Sequence, residues 1–240
     1  WKKFNSNMAI SVEYDLDQMI VTWEESSEWD FVNYKLYYST TQFGNKTLVT
    51  TINDINTNSY STSEYNPLQE NWYFIEVEDY WGQTTMGNGM TNQIDEEPNS
   101  VNITSVEYDL EQMTITWEEY IPNLLRMEKL NKSKERTNRD SDFVSYELLQ
   151  STTENGNYQS IVILDDVSTT SYSIQDFDPT IENWFKIKVT DYWGLTSLGN
   201  EMTNEIDEVP NSINILSVEY DLENLIINWS QSLDSDFVSY

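Results

Sequence analysis

The sequence predicts an all-β chain of tandem seven-stranded antiparallel sandwiches, with a third domain incomplete. Three observations predict it. One phrase is repeated: SVEYDLDQMIVTW (Ser11 to Trp23), SVEYDLEQMTITW (Ser105 to Trp117) and SVEYDLENLIINW (Ser217 to Trp229). A unit of about a hundred residues that recurs is a domain, and a row of similar domains serves reach and display more often than catalysis. Inside each unit, apolar and polar residues alternate with period two, the mark of a half-buried strand. Asn, Asp and Gly turn signals separate the short runs, and no repeated helical period competes.

Taken in order, the first strand begins at SVEY. In the second, Met19, Val21 and Trp23 share one face while Ile20, Thr22 and Glu24 take the other, and Met113, Ile115 and Trp117 repeat the pattern. Val32, Tyr34 and Leu36 alternate in the third. Thr47 to Ile52 forms the next, followed by a short strand around Tyr60. In the sixth, Tyr73, Ile75 and Val77 face away from Trp72, Phe74, Glu76 and Glu78. That strand belongs to a second repeated phrase, ENWYFIEVEDYWG (Glu70 to Gly82), which returns as ENWFKIKVTDYWG (Glu182 to Gly194).

Spacing divides the chain. Ser105 follows Ser11 by 94 positions and Ser217 follows Ser105 by 112, and the excess of 18 falls between Trp117 and Phe143. The expected domains are therefore 1–97, 98–209 with a basic insertion at 118–142, and the first strands of a third at 210–240. The joints read IDEEPNS (Ile94 to Ser100) and IDEVPNS (Ile206 to Ser212), without a flexible Gly/Ser spacer. Their proline fixes local geometry, so successive modules are expected to keep a set orientation.

Trp23 late in the second strand, the Tyr34, Leu36, Tyr38 pattern of the third, and the Tyr73, Ile75, Val77 pattern of the sixth together resemble the fibronectin type III domain. The resemblance extends over nearly the whole chain and is nearest to arrays in large bacterial surface and secreted proteins. It implies a non-enzymatic module, an extracellular or cell-surface location, and a part in a surface protein or filament. It also implies a tyrosine hydroxyl that bonds back to the preceding chain from the sixth strand; Tyr73 fits, whereas Phe185 replaces it in the second module and removes that bond. No Arg-Gly-Asp tripeptide is present, so integrin-style adhesion does not carry over.

Charge and composition narrow the partners. The 240 residues hold 42 acidic and 12 basic side chains, a formal net charge of -30, which repels phosphates and anionic lipid. No nucleic acid and no membrane insertion are expected, since no run approaches the ~18 apolar residues of a span. Solubility or cation binding are the two readings of the charge. The absence of Cys and His removes disulfides, thiolate nucleophiles, imidazole bases and the usual zinc ligands. No signal peptide is visible and the chain opens on Trp1, which reads as a mature product or a fragment.

Three constellations remain. The turn after the sixth strand reads DYWG in both complete modules. Tyr80, Trp81, Tyr192 and Trp193 suit sugar stacking or protein contact if exposed; otherwise Trp81 and Trp193 fold over the sandwich end or fill the joint with the next module. At the joints, Asp95, Glu96, Asp207 and Glu208 are candidate calcium ligands, because calcium takes six to eight oxygens; the other reading is solvated acidic turns. In the insertion, Arg126, Lys129, Lys132, Lys134, Arg136 and Arg139 oppose only Glu128 and Glu135 between Ile121 and Arg139. That stretch is either an electrostatic dock for a neighbouring copy or module, or a solvated loop.

Carboxylate pairs alone do not make a glycosidase, and catalysis is not expected. The third module stops in its third strand, which either reflects a longer array or invites completion by another chain. The function expected is thus a structural array of β-sandwich modules joined to its own copies or to further modules. The alternative is an adhesin or accessory module that grips a glycan or surface protein through its DYWG edges.

Overall fold

The computed structural model describes residues 9–122, 142–234 and 239, and among them the chain forms seventeen strands and no helix. By internal contacts it divides into two compact units. One gathers Trp1–Asn99, Ile121–Val144 and Val189–Ser197; the other gathers Ser100–Tyr120, Ser145–Lys188 and Leu198–Tyr240. The DYWG turn of the second repeat therefore belongs to the first unit.

The first repeat folds as two antiparallel sheets. One holds β1 (Ala9–Tyr14), β2 (Met19–Trp23) and β5 (Ser59–Thr62) in the order β1-β2-β5. The other orders β4 (Thr47–Ile52), β3 (Phe31–Ser39), β6 (Trp72–Asp79) and β7 (Thr84–Met86) as β4-β3-β6-β7. This three-on-four arrangement is a fibronectin type III-like sandwich. The second repeat reproduces it with β8 (Ile103–Tyr108), β9 (Met113–Trp117) and β12 (Ser171–Ile174) in one sheet. Its second sheet holds β10 (Phe143–Ser151), β11 (Gln159–Leu164), β13 (Trp184–Asp191) and β14 (Thr196–Leu198), with a two-residue β15 (Met202–Thr203) added to β13. A last hairpin pairs β16 (Ile215–Tyr220) with β17 (Leu225–Trp229), and its Leu225, Ile227 and Trp229 are exposed.

The repeated phrases explain themselves locally. In EYDL the aspartate caps the hairpin turn: Asp109 Oδ1 accepts the amides of Glu111 and Gln112 at 2.8 and 2.9 Å, as Asp15 and Asp221 do in their own turns. These bonds hold the Asp109 and Asp221 carboxyls below the usual range, since each amide favours the charged form. In ENW, Asn71 is buried and donates to the carbonyls of Asn66 and Gln69 at 2.7 and 2.9 Å and to Asn92 Oδ1 at 3.0 Å. Asn183 and Asn204 repeat this latch in the second sandwich.

The core sits between the sheets. Met19, Val21 and Trp23 meet Tyr34, Leu36, Tyr73, Ile75 and Val77 across it. Trp23 and Tyr34 rings approach edge-on at 5.9 Å, and Trp117 and Tyr146 repeat that distance. Truncating such a buried Trp costs about 3–5 kcal/mol.

Two details depart from simple alternation. A bulge between Phe31 and Asn33 turns Val32 outward, 38% exposed, and buries Asn33 instead. Phe74 is buried although it points away from the core, because Lys46 lies over its ring at 4.3 Å. The tyrosine that ties back to the chain is also a different one. Tyr34 Oη donates to Ile55 O at 2.9 Å and accepts the Ser26 amide, and Tyr146 Oη does the same with Val167 O and the Tyr120 amide. Among the described residues Tyr73 makes no such bond; burial pushes its hydroxyl up to about 12.

Candidate functional site

Both DYWG turns are built identically. Asp79 Oδ1 accepts the amides of Trp81 and Gln83 at 2.9 and 2.8 Å, and Asp191 Oδ1 those of Trp193 and Leu195 at 3.0 and 2.8 Å. Gly82 and Gly194 hold φ of 76° and 83°, the left-handed region where any side chain is strained. Each turn is also tied to the strand beside it, Tyr80 N–H donating to Asp30 O and Tyr192 N–H to Asp142 O. The Tyr and Trp rings then stand at right angles, 88° in both turns.

Their surroundings differ. Tyr80 and Trp81 are 75% and 70% exposed. Trp193 is half-buried: it meets Tyr14 edge-on at 6.3 Å and Tyr65 at 5.6 Å, so two aromatic side chains of the first repeat receive the turn of the second. All three residues lie in the first compact unit. Tyr192 keeps 54% exposure. Burial pushes the Tyr65 hydroxyl well above its ordinary range while it donates to the Asp15 carbonyl.

Beside this aromatic contact, Asp95, Asp142 and Asp191 bring carboxylate oxygens within 4.8 Å of one another, and all three side chains are buried. Tyr14 Oη donates to Asp95 Oδ1 at 2.8 Å, and the Asp95 amide donates to Pro67 O at 2.9 Å. Three oxygen donors so close suit a hard divalent cation better than a soft one.

Of the ligands read from the joints, the structure brings only Asp95 into this group. Glu96 and Glu208 are exposed, and Asp207 is half-buried in the second compact unit. Sequence reasoning missed Asp142 and Asp191 because neither lies in a linker. The signal was the Asp-Phe pair opening each third strand and the Asp of DYWG, residues far apart in the chain that the hairpin turn brings together. Arg126, Lys129, Lys132, Lys134, Arg136 and Arg139 lie outside the described residues.

The second unit contains a cavity of about 800 Å³ whose walls include Tyr108, Phe177, Pro179 and Asp207. Among the described residues no helix is long and apolar enough to cross a membrane.

No family model matches the chain, and no curated protein does. Solved structures with some likeness include the FN1-FN3 domains of chicken CNTN1, at 15% identity and a TM-score of 0.31, covering 94% of this chain and 74% of that one. The chicken interferon gamma receptor alpha chain is similar at 12% identity and a TM-score of 0.35, covering 85% of this chain and 99% of that one. The pectate lyase PelI from Erwinia chrysanthemi aligns at 16% identity and a TM-score of 0.33, over 36% of this chain; the chain spans 28% of the lyase.

Proposed function

We propose that this protein is a non-enzymatic structural array of extracellular β-sandwich modules, held in fixed succession and serving reach, display and association between chains. The observation that carries the reading is the seating of Trp193 on Tyr14 and Tyr65: the turn of one repeat packs on two aromatic side chains of the repeat before it. A contact of rings plus a short proline linker restrains two modules far more than a linker alone. The test is ¹⁵N relaxation in dilute solution. One shared rotational correlation time for the two complete repeats supports the array, and two independent times refute it.

Calcium is the proposed cation of this joint, with Asp95, Asp142 and Asp191 as its carboxylate ligands. Binding to the folded form alone raises stability by about 2.7 kcal/mol at a hundredfold excess over Kd. Calcium should therefore raise the thermal midpoint of the wild type and not that of Asp142→Asn; equal shifts would refute these ligands.

A second reading rests on the exposure of Tyr80 and Trp81. Two perpendicular rings on a rigid turn suit stacking on a glycan or a protein partner. A glycan-array screen with Trp81→Ala as the control decides it: binding lost in the variant supports the reading, and no binding by the wild type ends it.

A further inference from the structure

The hairpin between β3 and β4 carries the run Phe43-Gly44-Asn45-Lys46-Thr47, and Phe43 at its tip is 91% exposed. We propose that Asn45 is a site of N-linked glycosylation, with Phe43 as the ring on which the first sugar rests. The inference rests on the extracellular location in the reading above and goes beyond it, assigning a covalent modification to one module.

Asn-x-Ser/Thr is the acceptor pattern for transfer of a sugar to an asparagine amide on an exposed loop. Four such triplets occur, beginning at Asn45, Asn102, Asn131 and Asn228. Asn102 donates its amide to Glu118 Oε2 at 3.0 Å and accepts the Asn200 amide at 3.2 Å, so its side chain is engaged. Asn228 donates to Ser217 Oγ at 2.8 Å from within β17. Asn131 lies outside the described residues. Asn45 is exposed, lies between the hairpin turn and β4, and its side chain makes no hydrogen bond among the described residues.

The turn sets an aromatic ring beside that amide. Gly44 N–H donates to Thr41 O at 3.2 Å and Ser39 Oγ donates to the same carbonyl at 2.8 Å, which closes the chain around Gln42 and Phe43. Burial of a Phe side chain is favourable, yet Phe43 is left in water two residues before an open amide, with only Gly44 between them. An aromatic face at that spacing suits the apolar face of a sugar ring.

The second repeat shows that the turn does not need this ring. Phe43, Asn45 and Thr47 correspond to Asn155, Asn157 and Gln159, each 112 positions later. There Gly156 N–H still donates to Thr153 O, at 3.1 Å. The asparagine stays, whereas the ring and the hydroxyl of the acceptor pattern are lost together.

The transfer balances with a glycosyl diphosphate as donor. Asn45 Nδ2 bonds to the anomeric carbon, and the bond from that carbon to the diphosphate oxygen breaks. The diphosphate leaves with the electron pair, and one amide proton passes to a base.

Peptide mapping by mass spectrometry of the full chain, purified from the organism that makes it, tests this. Fragmentation should place a glycan on Asn45. In the same host Thr47→Val should abolish the modification and Thr47→Ser should keep it. Phe43→Ala should lower the ratio of occupied to unoccupied chains by about two- to tenfold, the factor that one aromatic contact is worth. Both positions are exposed, so the variants should fold with the thermal midpoint of the unmodified wild type.

An unmodified Asn45 in protein from that source would overturn the proposal, as would a glycan that survives Thr47→Val. Occupancy indifferent to Phe43→Ala would overturn the seat assigned to the ring. Cell fractionation and the rotational correlation time test the location and the array separately from the glycan mass, so the failure of one is told from the failure of the other.

Discussion

Trp193 meets Tyr65 edge-to-face, with ring centroids 5.6 Å apart and planes at 67°. The same tetrapeptide one repeat earlier leaves Trp81 in solvent. Identical local sequence thus produces one packed and one open turn. The difference lies in the surroundings: the rings of Tyr14 and Tyr65 meet Trp193, whereas Trp81 meets its own neighbour Tyr80.

This asymmetry makes the first prediction. Trp193→Ala removes contacts with three rings and should lower stability in urea by about 1–3 kcal/mol. Trp81→Ala in dilute solution should change it by no more than about 0.5 kcal/mol, as surface substitutions do. Equal losses would mean that Trp193 contributes no packing.

The second concerns tyrosines. Tyr34→Phe removes the bond to Ile55 O and leaves the Ser26 amide without its buried acceptor, so it should cost about 1–3 kcal/mol, and Tyr146→Phe the same. Tyr73→Phe should cost less than about 1 kcal/mol, since the second repeat already carries Phe185 there. Chemical denaturation of the three variants checks the ranking.

Much of this was legible in the sequence, and the misses have physical reasons. Met19, Val21, Trp23 and their partners followed from period two because each strand lies flat against the core. Val32 did not, because a bulge shifts the register by one residue, and a bulge has no fixed sequence mark. The back-bonding tyrosine was placed at Tyr73 by resemblance to a family; the geometry gives that task to Tyr34, which faces the loop carbonyl of Ile55. Asp95 was visible as a linker acid. Asp142 and Asp191 join it only through the fold, and no spacing along the chain announces a contact between residues so far apart.

The buried asparagine latch makes the third prediction. Asn183 donates to the carbonyls of Asp178 and Ile181 at 2.9 and 3.0 Å, and its own amide donates to Asn204 Oδ1 at 2.8 Å. Asn183→Ala leaves these part-buried carbonyls without their donor and should cost about 1–3 kcal/mol. Thermal unfolding of Asn183→Ala and Asn71→Ala should show similar losses.

Acid sensitivity gives the fourth. Lys188 and then Ser160 hold the Glu147 carboxyl below its ordinary 4.5, Lys35 and Asn33 do so for Glu78, and chiefly Lys186 for Glu201. A carboxyl more acidic in the folded chain than in the unfolded one stabilises fully above the unfolded value, and loses that contribution as pH falls through the folded one. Stability from these pairs should therefore be flat above pH 4.5 and decline below it. Glu147→Gln should be less stable than the wild type at neutral pH and should converge with it in acid; a constant difference across the range would contradict the pairing.

The most direct measurement of the central claim is a double-mutant cycle on the joint. Trp193→Ala, Tyr65→Ala and the double variant are compared with the wild type by urea unfolding. The account predicts that the two losses are not additive, with a coupling of about 0.5–1.5 kcal/mol, as for an edge-to-face aromatic pair. Strict additivity would contradict it, for then the turn of the second repeat would not rest on the first.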